Sequence, residues 1–241
     1  MSVSVTLEAS SRHRLVLSHY APGEECRPHR HDRAQISLLL AGGYVEDSDQ
    51  GRSRADGPSL SRKPGGFDHQ NRFGDAGALI LSLNVDAAAA PERYFVAPRP
   101  EGVTELALRR MASDGRAMAA LVDSVPAGSA PAAPTPQPWL NEAHDRLLTE
   151  SGLSIGALAR SFGLHPVRFS CLFREAFALS PTAARQNRRA ARAVGRLIHS
   201  GTPLAEIAAS EGFADQAHLS RAIRRATGWS PGRLRRLFAG V

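Results

Sequence analysis

Three histidines and a glutamine in the first third of the chain have the types and spacing of a metal or ligand site. The segment GEECRPHRHDRAQISLLLAGG sets His29, His31 and Gln35 in the frame G-x5-H-x-H-x3-Q-x6-G, and PGGFDHQN adds His69. Three imidazoles and one oxygen donor suit Zn, Fe, Ni, Mn or Cu. Gln35 is a neutral amide, so the set has one anionic ligand fewer than it would with a carboxylate there, which weakens cation binding. The same side chains can instead fill a barrel interior, hydrogen-bonded to each other or to an organic ligand. No Ser-His-Asp or Cys-His motif and no phosphate-cradling loop stands out, so no residue is assigned a catalytic role.

Arginine and glutamine recur in a different setting near the C-terminus. Ile155 to Pro181 reads IGALARSFGLHPVRFSCLFREAFALSP and Leu204 to Pro231 reads LAEIAASEGFADQAHLSRAIRRATGWSP, one pattern written twice. Leu158-Ala159 answers Ile207-Ala208, Gly163 answers Gly212, Phe169 answers Leu219, Phe173-Arg174 answers Ile223-Arg224, and Ser180-Pro181 answers Ser230-Pro231. The offset grows from 49 to 50 residues after Gly212-Phe213, which puts one extra turn residue near Ala214. Each copy reads as a short helix, a turn containing Gly, and a second helix that turns Phe169 and Phe173, or Leu219 and Ile223, inward. The remaining side chains of each second helix are then free to face bases. In the second copy these are Gln216, Ala217, His218, Ser220 and Arg221; Gln can bond bidentately to adenine and Arg to guanine. The first copy offers Val167, Arg168, Ser170 and Cys171, with Val167 suited to a thymine methyl. Arg174 suits a phosphate, and Arg224 is its counterpart.

The charge has the sign this needs. Residues 139–241 hold 15 Arg and 7 acidic residues, a net of +8, whereas residues 1–138 hold 15 Lys or Arg and 16 acidic residues, a net of −1. An excess confined to one part of the chain is the footprint of a phosphate-binding surface. Ser154 and Asp215 read as N-caps, and Pro166, Pro181, Pro203 and Pro231 fall in first turns, where a proline misses no donor. Thr182–His199 has no internal breaker except Gly195 and should be one long helix joining the two units. Its Arg185, Arg188, Arg189, Arg192 and Arg196 face solvent or phosphate in this reading. Two units on one rigid helix can set their reading helices in successive major grooves about 34 Å apart.

Ile207-Ala208, Gly212-Phe213, Leu219-Ser220-Arg221, Gly228 and Ser230-Pro231 carry a resemblance to the AraC/XylS family of bacterial transcription regulators, over Trp139 to Phe238. Ile223 stands where that family usually has Phe, and Cys171 where a basic residue is common. The histidine frame resembles the first motif of cupins, with Gln35 for the usual Glu. Pro64 to Asn71 resembles the core of the second, with Phe73 where its trailing Asn is expected and Asn71 close by. The resemblances imply a ligand-responsive, sequence-specific regulator of transcription. The rival is a metal-dependent cupin enzyme of dioxygenase or isomerase type fused to a DNA-binding domain.

The elements that must position these residues can be sketched. A two-domain chain is expected, β then α: a cupin-like β-barrel with trailing helices over 1–123, a Pro/Ala-rich linker over 124–138, and an all-α domain with two helix-turn-helix units over 139–241. On a strand His29 and His31 point to one face, and Gln35 joins them if the strand continues. His69 arrives from a second strand after a Pro-Gly-Gly turn. Arg14–Tyr20, Ile36–Leu40 and Gly77–Val85 are the other strand signals. Glu105–Met111 and Arg116–Val122 read as a helix pair burying Leu106, Met111, Met118 and Leu121, packed on the barrel or forming a homodimer contact. The helical domain has its own caps, apolar faces and charge, and is expected to fold without the barrel. Cys26 and Cys171 lie far apart, no stretch approaches 18 apolar residues, and the start lacks a secretory pattern. The expected setting is the cytoplasm, the expected partners double-stranded DNA and a small-molecule effector, with no membrane.

Overall fold

The computed structural model describes residues 2–85, 94–100, 103–114, 116–117, 120, 136–150 and 152–240. Eight strands come first among the described residues: β1 Val3–Ala9, β2 His13–Tyr20, β3 Glu25–His31, β4 Ala34–Ser48, β5 Gly51–Ala55, β6 Ser59–Lys63, β7 Phe67–Val85 and β8 Phe95–Pro98. Eight helices follow among the described residues: α1 Glu105–Met111, α2 Pro138–Thr149, α3 Ile155–Ser161, α4 Pro166–Phe177, α5 Pro181–His199, α6 Leu204–Ser210, α7 Gln216–Thr227 and α8 Pro231–Phe238. The order of classes is the expected β then α. Residues 124–135 of the linker, and Met118 and Leu121, lie outside the described residues.

All strands pair antiparallel in the order β1-β2-β7-β4-β6-β8, with β3 added to β7 and β5 to β4. Strands β4 and β7 are 15 and 19 residues long, much longer than the short runs read from sequence. Each serves two layers. The first half of β7 pairs with β3 and with Tyr44–Ser48, while Ala78–Val85 pairs with β2 and with the first half of β4. Glycine permits the bend between halves. Gly42 has φ +91°, and a Cβ there would lie 2.0 Å from the Gly77 carbonyl oxygen; Gly77 has φ +69°.

Side chains alternate along these strands. Ser37, Ile80 and Ser82 line the barrel cavity, so Ile36, Leu38, Leu79, Leu81 and Leu83 face outward. That outer face is not wet. It belongs to one apolar cluster with Leu108 and Met111 of α1, Ala191, Val194 and Leu197 of α5, and Ile207, Leu219, Ile223 and Leu234 beyond. The second helix-turn-helix unit therefore shares its core with the barrel, contrary to the expected independence. The first unit keeps its own cluster around Leu147, Leu158, Phe169 and Phe173.

Helix α1 buries Leu108 and Met111 but leaves Leu106 74 % exposed, correcting the expectation that Leu106 is buried. Leu106 lies on the opposite face from Leu108. Arg109 donates to the Gly228 carbonyl at 2.6 Å, so α1 seats on the end of α7 as well as joining the barrel cluster. Ser154 and Asp215 cap α3 and α7 as expected, and Pro166, Pro181 and Pro231 occupy first turns. Pro203 differs: it is the residue before α6, with ψ 144°, and has no side-chain cap bond.

Candidate functional site

Two helices carry the candidate base-reading side chains. In the first unit α4 follows Gly163 at φ +68°, and the His165 side chain accepts from the Val167 amide to close its N-terminus. Phe169 and Phe173 are fully buried, which turns Val167, Arg168, Cys171 and Arg174 outward. The Ser170 hydroxyl donates to the Pro166 carbonyl at 2.8 Å, so its proton is already used. In the second unit Asp215 accepts from the His218 amide at 2.6 Å, and Leu219 and Ile223 are fully buried. Gln216, Ala217, His218, Arg221 and Arg224 are exposed and Ser220 half-buried. The His218 ring stands edge-on to Phe213, and its Nδ1 accepts from the Ala214 amide at 3.4 Å.

The arginines divide into two groups. The side chains of Arg168, Arg174, Arg221 and Arg224 have no hydrogen-bond or ion-pair partner among the described residues. Those of α5 are committed internally, which corrects the reading of a free basic side. Arg185 donates to the Leu147 carbonyl at 3.2 Å and to that of Leu153; Arg188 holds Asp75 of β7. Arg189 donates to the Gly212 carbonyl at 3.3 Å, Arg192 pairs with Glu211 at 2.7 Å, and Arg196 donates to Ser210. The pattern of Arg at helical spacing is the same for both fates, so sequence alone does not separate them.

The histidine site forms inside the barrel. His29 and His31 lie on β3 and His69 on β7, with His29 directly opposite His69 in the ladder. Their ligand-capable atoms all lie within 4.8 Å of one another. His29 Nδ1 bonds the Arg27 carbonyl at 2.8 Å and His69 Nδ1 the Phe67 carbonyl at 3.3 Å, which leaves Nε2 of each as the free lone pair. Burial pushes His31 down to about 4, helped by the neighbouring His29 and Lys63, and His69 to about 3, helped by Lys63 and His29. Both are neutral at physiological pH, the form that binds a metal.

Gln35 reaches the same cavity from β4, not from a continued β3, because Asp32 and Arg33 turn the chain between them. Its Nε2 donates to Asn84 Oδ1 at 3.1 Å. The cavity, about 80 Å³, is also lined by Tyr20, Tyr44, Lys63, Asn71 and Phe73. Lys63 is 5 % exposed and pairs at 2.5 Å with Glu46, itself fully buried. Phe73, where the cupin pattern places Asn, stacks on Tyr20 at 4.0 Å. Sequence reasoning missed Lys63, Tyr20 and Tyr44, whose positions in the strands match no motif.

Comparison with known proteins places the helical part. A family profile described as a helix-turn-helix domain matches residues 158–237. The arabinose operon regulatory protein of Escherichia coli strain K12 is 33 % identical over 88 residues, 36 % of this chain and 30 % of that protein. The chain thus matches about a third of that relative's length. Among solved structures, the C-terminal domain of AraT, a response regulator from Geobacillus stearothermophilus, is 25 % identical over 42 % of this chain and 86 % of that one, with TM-score 0.39. A cupin superfamily protein from Desulfitobacterium hafniense DCB-2 is 19 % identical over 36 % of this chain and 78 % of that one, with TM-score 0.34. Residues 158–237 thus match a helix-turn-helix domain, and part of the chain is similar to the arabinose operon regulatory protein. No helix among the described residues is long and apolar enough to cross a membrane.

Proposed function

We propose that this chain is a sequence-reading transcription regulator whose barrel takes up a small molecule or metal ion as its signal, in a cytoplasmic setting. The observation that carries it is the division of the arginines: those on the two reading helices stand exposed and unpaired, while those of the joining helix are spent on internal bonds. In this reading Gln216, His218, Ser220 and Arg221 read base edges from α7, with Ala217 against a methyl group. Val167, Arg168, Ser170 and Cys171 do so from α4, and Arg174 and Arg224 hold phosphates.

The donor set fits a divalent ion of the Zn, Fe, Ni, Mn or Cu class. His29, His31 and His69 would hold it through ring nitrogens, two of the rings oriented by backbone carbonyls, with Gln35 beside them. A bound ion would supply an electrophilic anchor for an oxygen of the effector. Lys63 brings positive charge to the same cavity, and its pairing with Glu46 offsets the repulsion a cation would meet. The three-histidine cluster is also what favours the rival, a metal-dependent enzyme; substrate turnover by the metal-loaded full chain would decide for it.

The test is selection of duplexes from a random pool by the full chain, followed by footprinting. The expected product is a site with two protected segments about one helical turn, roughly 34 Å, apart, bound with an affinity that falls steeply with salt. Binding without sequence enrichment would refute the regulator reading.

A further inference from the structure

Helix α5 does more than join the two reading units. It lies across β4 and β7 and makes three polar contacts with the barrel at separate points. Along the other edge of β4, β6 pairs only as far as Leu39 and β5 only from Tyr44, so the Gly42 peptide has no strand partner there, although Gly42 keeps Ala78 opposite it in the ladder to β7. Asn187 of α5 replaces the missing strand. Its Oδ1 accepts from the Gly42 amide at 3.1 Å, and its Nδ2 donates to the Gly42 carbonyl at 2.7 Å and to the Asp56 carbonyl at 3.0 Å. One residue on, Arg188 holds Asp75. At the far end His199 Nε2 meets His19 Nδ1 at 3.0 Å, and Gly195 makes room for that ring: a Cβ there would lie 3.3 Å from His19 Nε2.

Three of the four barrel residues that bond α5 adjoin an aromatic side chain of the histidine cavity. His19 precedes Tyr20, Gly42 lies two residues before Tyr44, and Asp75 two residues after Phe73. The three rings touch: Tyr20 stacks on Phe73 at 4.0 Å, and Tyr44 meets Phe73 at 6.2 Å. The barrel also grips both reading units beyond α5. Arg54 meets His144 of α2 at 3.0 Å, and Arg99 donates to the Ala226 carbonyl of α7 at 3.4 Å.

We propose that the Asn187, Arg188 and His199 contacts form a latch through which the content of the histidine cavity sets the disposition of the two reading helices. This rests on the reading of the barrel as a sensor. A ligand that displaces the Tyr20–Phe73–Tyr44 cluster moves His19, Gly42 and Asp75 together, and α5 carries one reading unit at each end. The ligand then shifts DNA affinity only as far as it discriminates between latched and released α5.

The test is a double-mutant cycle in the full chain between a cavity residue and the latch, read as affinity for a selected duplex. Phe73→Leu and Asn187→Ala are each expected to change affinity, with the pair departing from additivity by at least about threefold. Additive effects overturn the latch. Arg188→Gln, which removes a half-exposed ion pair, replaces Asn187→Ala should that variant fail to fold, with the same criterion. A second arm uses Zn²⁺ alone as the cavity probe. Wild type should bind the ion and change its DNA affinity, whereas Asn187→Ala and Arg188→Gln should keep the calorimetric Zn²⁺ affinity and lose the change. Zn²⁺ binding by wild type that leaves DNA affinity unmoved also overturns the latch. Failure of wild type to select any duplex overturns the regulator reading itself, and the latch with it.

Discussion

Arg221 and Arg174 are both exposed and unpaired, yet they stand at different points of their helices and should behave differently. Arg221→Ala is expected to cost about 1–3 kcal/mol on the selected duplex and to relax preference at one position, as for a side chain forked onto guanine. Arg174→Ala should weaken selected and random duplexes alike and reduce the salt dependence; parallel competition titrations separate the two. In the barrel, Gln35→Glu adds an anion beside the three histidines. Calorimetry should show divalent-metal affinity tighter by about tenfold or more, the scale of one added charge in a partly screened site. His19 gives a pH signature. Burial, then the neighbouring His199, lowers it to about 4, against about 6.5 for an unfolded chain. As pH falls through 6.5 towards 4 the unfolded chain takes up a proton that the folded one resists, so stability drops in that window. Replacing His19 by Gln should flatten the curve of unfolding midpoint against pH between 7 and 4.

At the scale of elements the two helix-turn-helix copies end their second helices differently. Helix α7 ends at Gly228 with φ +83°, the left-handed conformation glycine adopts freely, whereas α4 ends at Ala178 with φ +58°. Ala178 is exposed. Ala178→Gly should therefore relieve a strained backbone without leaving a cavity, stabilising the first unit by about 0.5–1 kcal/mol, read as a higher unfolding midpoint. The helices were largely legible from sequence because caps, first-turn prolines and inward aromatics are local signals. So was the pairing of His29 with His31, which needs only alternation along a strand. The long strands were not legible. Gly42 and Gly77 look like loop punctuation, and only their close approach in space marks them as bends within continuous strands. Asn187 was equally silent, since a polar residue in an arginine-rich helix looks like surface until its partner, a peptide 145 positions away, is known.

Across the whole molecule, the outer barrel face and the second reading unit share one apolar cluster, so the two parts should not melt separately. Differential scanning calorimetry of the full chain is expected to give one cooperative transition enclosing the barrel and residues 181–238, with calorimetric and van't Hoff enthalpies in agreement. Two resolved transitions would mean that the shared cluster contributes little. The cluster also has a consequence for synthesis. The barrel leaves the ribosome first, with Leu38, Leu81 and Leu83 uncovered and the Gly42 peptide unsatisfied, and from the end of β8 at Pro98 it waits until Asn187 and Val194 arrive. For that interval the nascent chain carries an open greasy sheet, the kind of surface that chaperones bind and that makes truncated fragments precipitate. A premature stop before α5 should therefore yield an insoluble product instead of a free sensor, and translation speed between the codons of Pro98 and Asn187 becomes a determinant of yield.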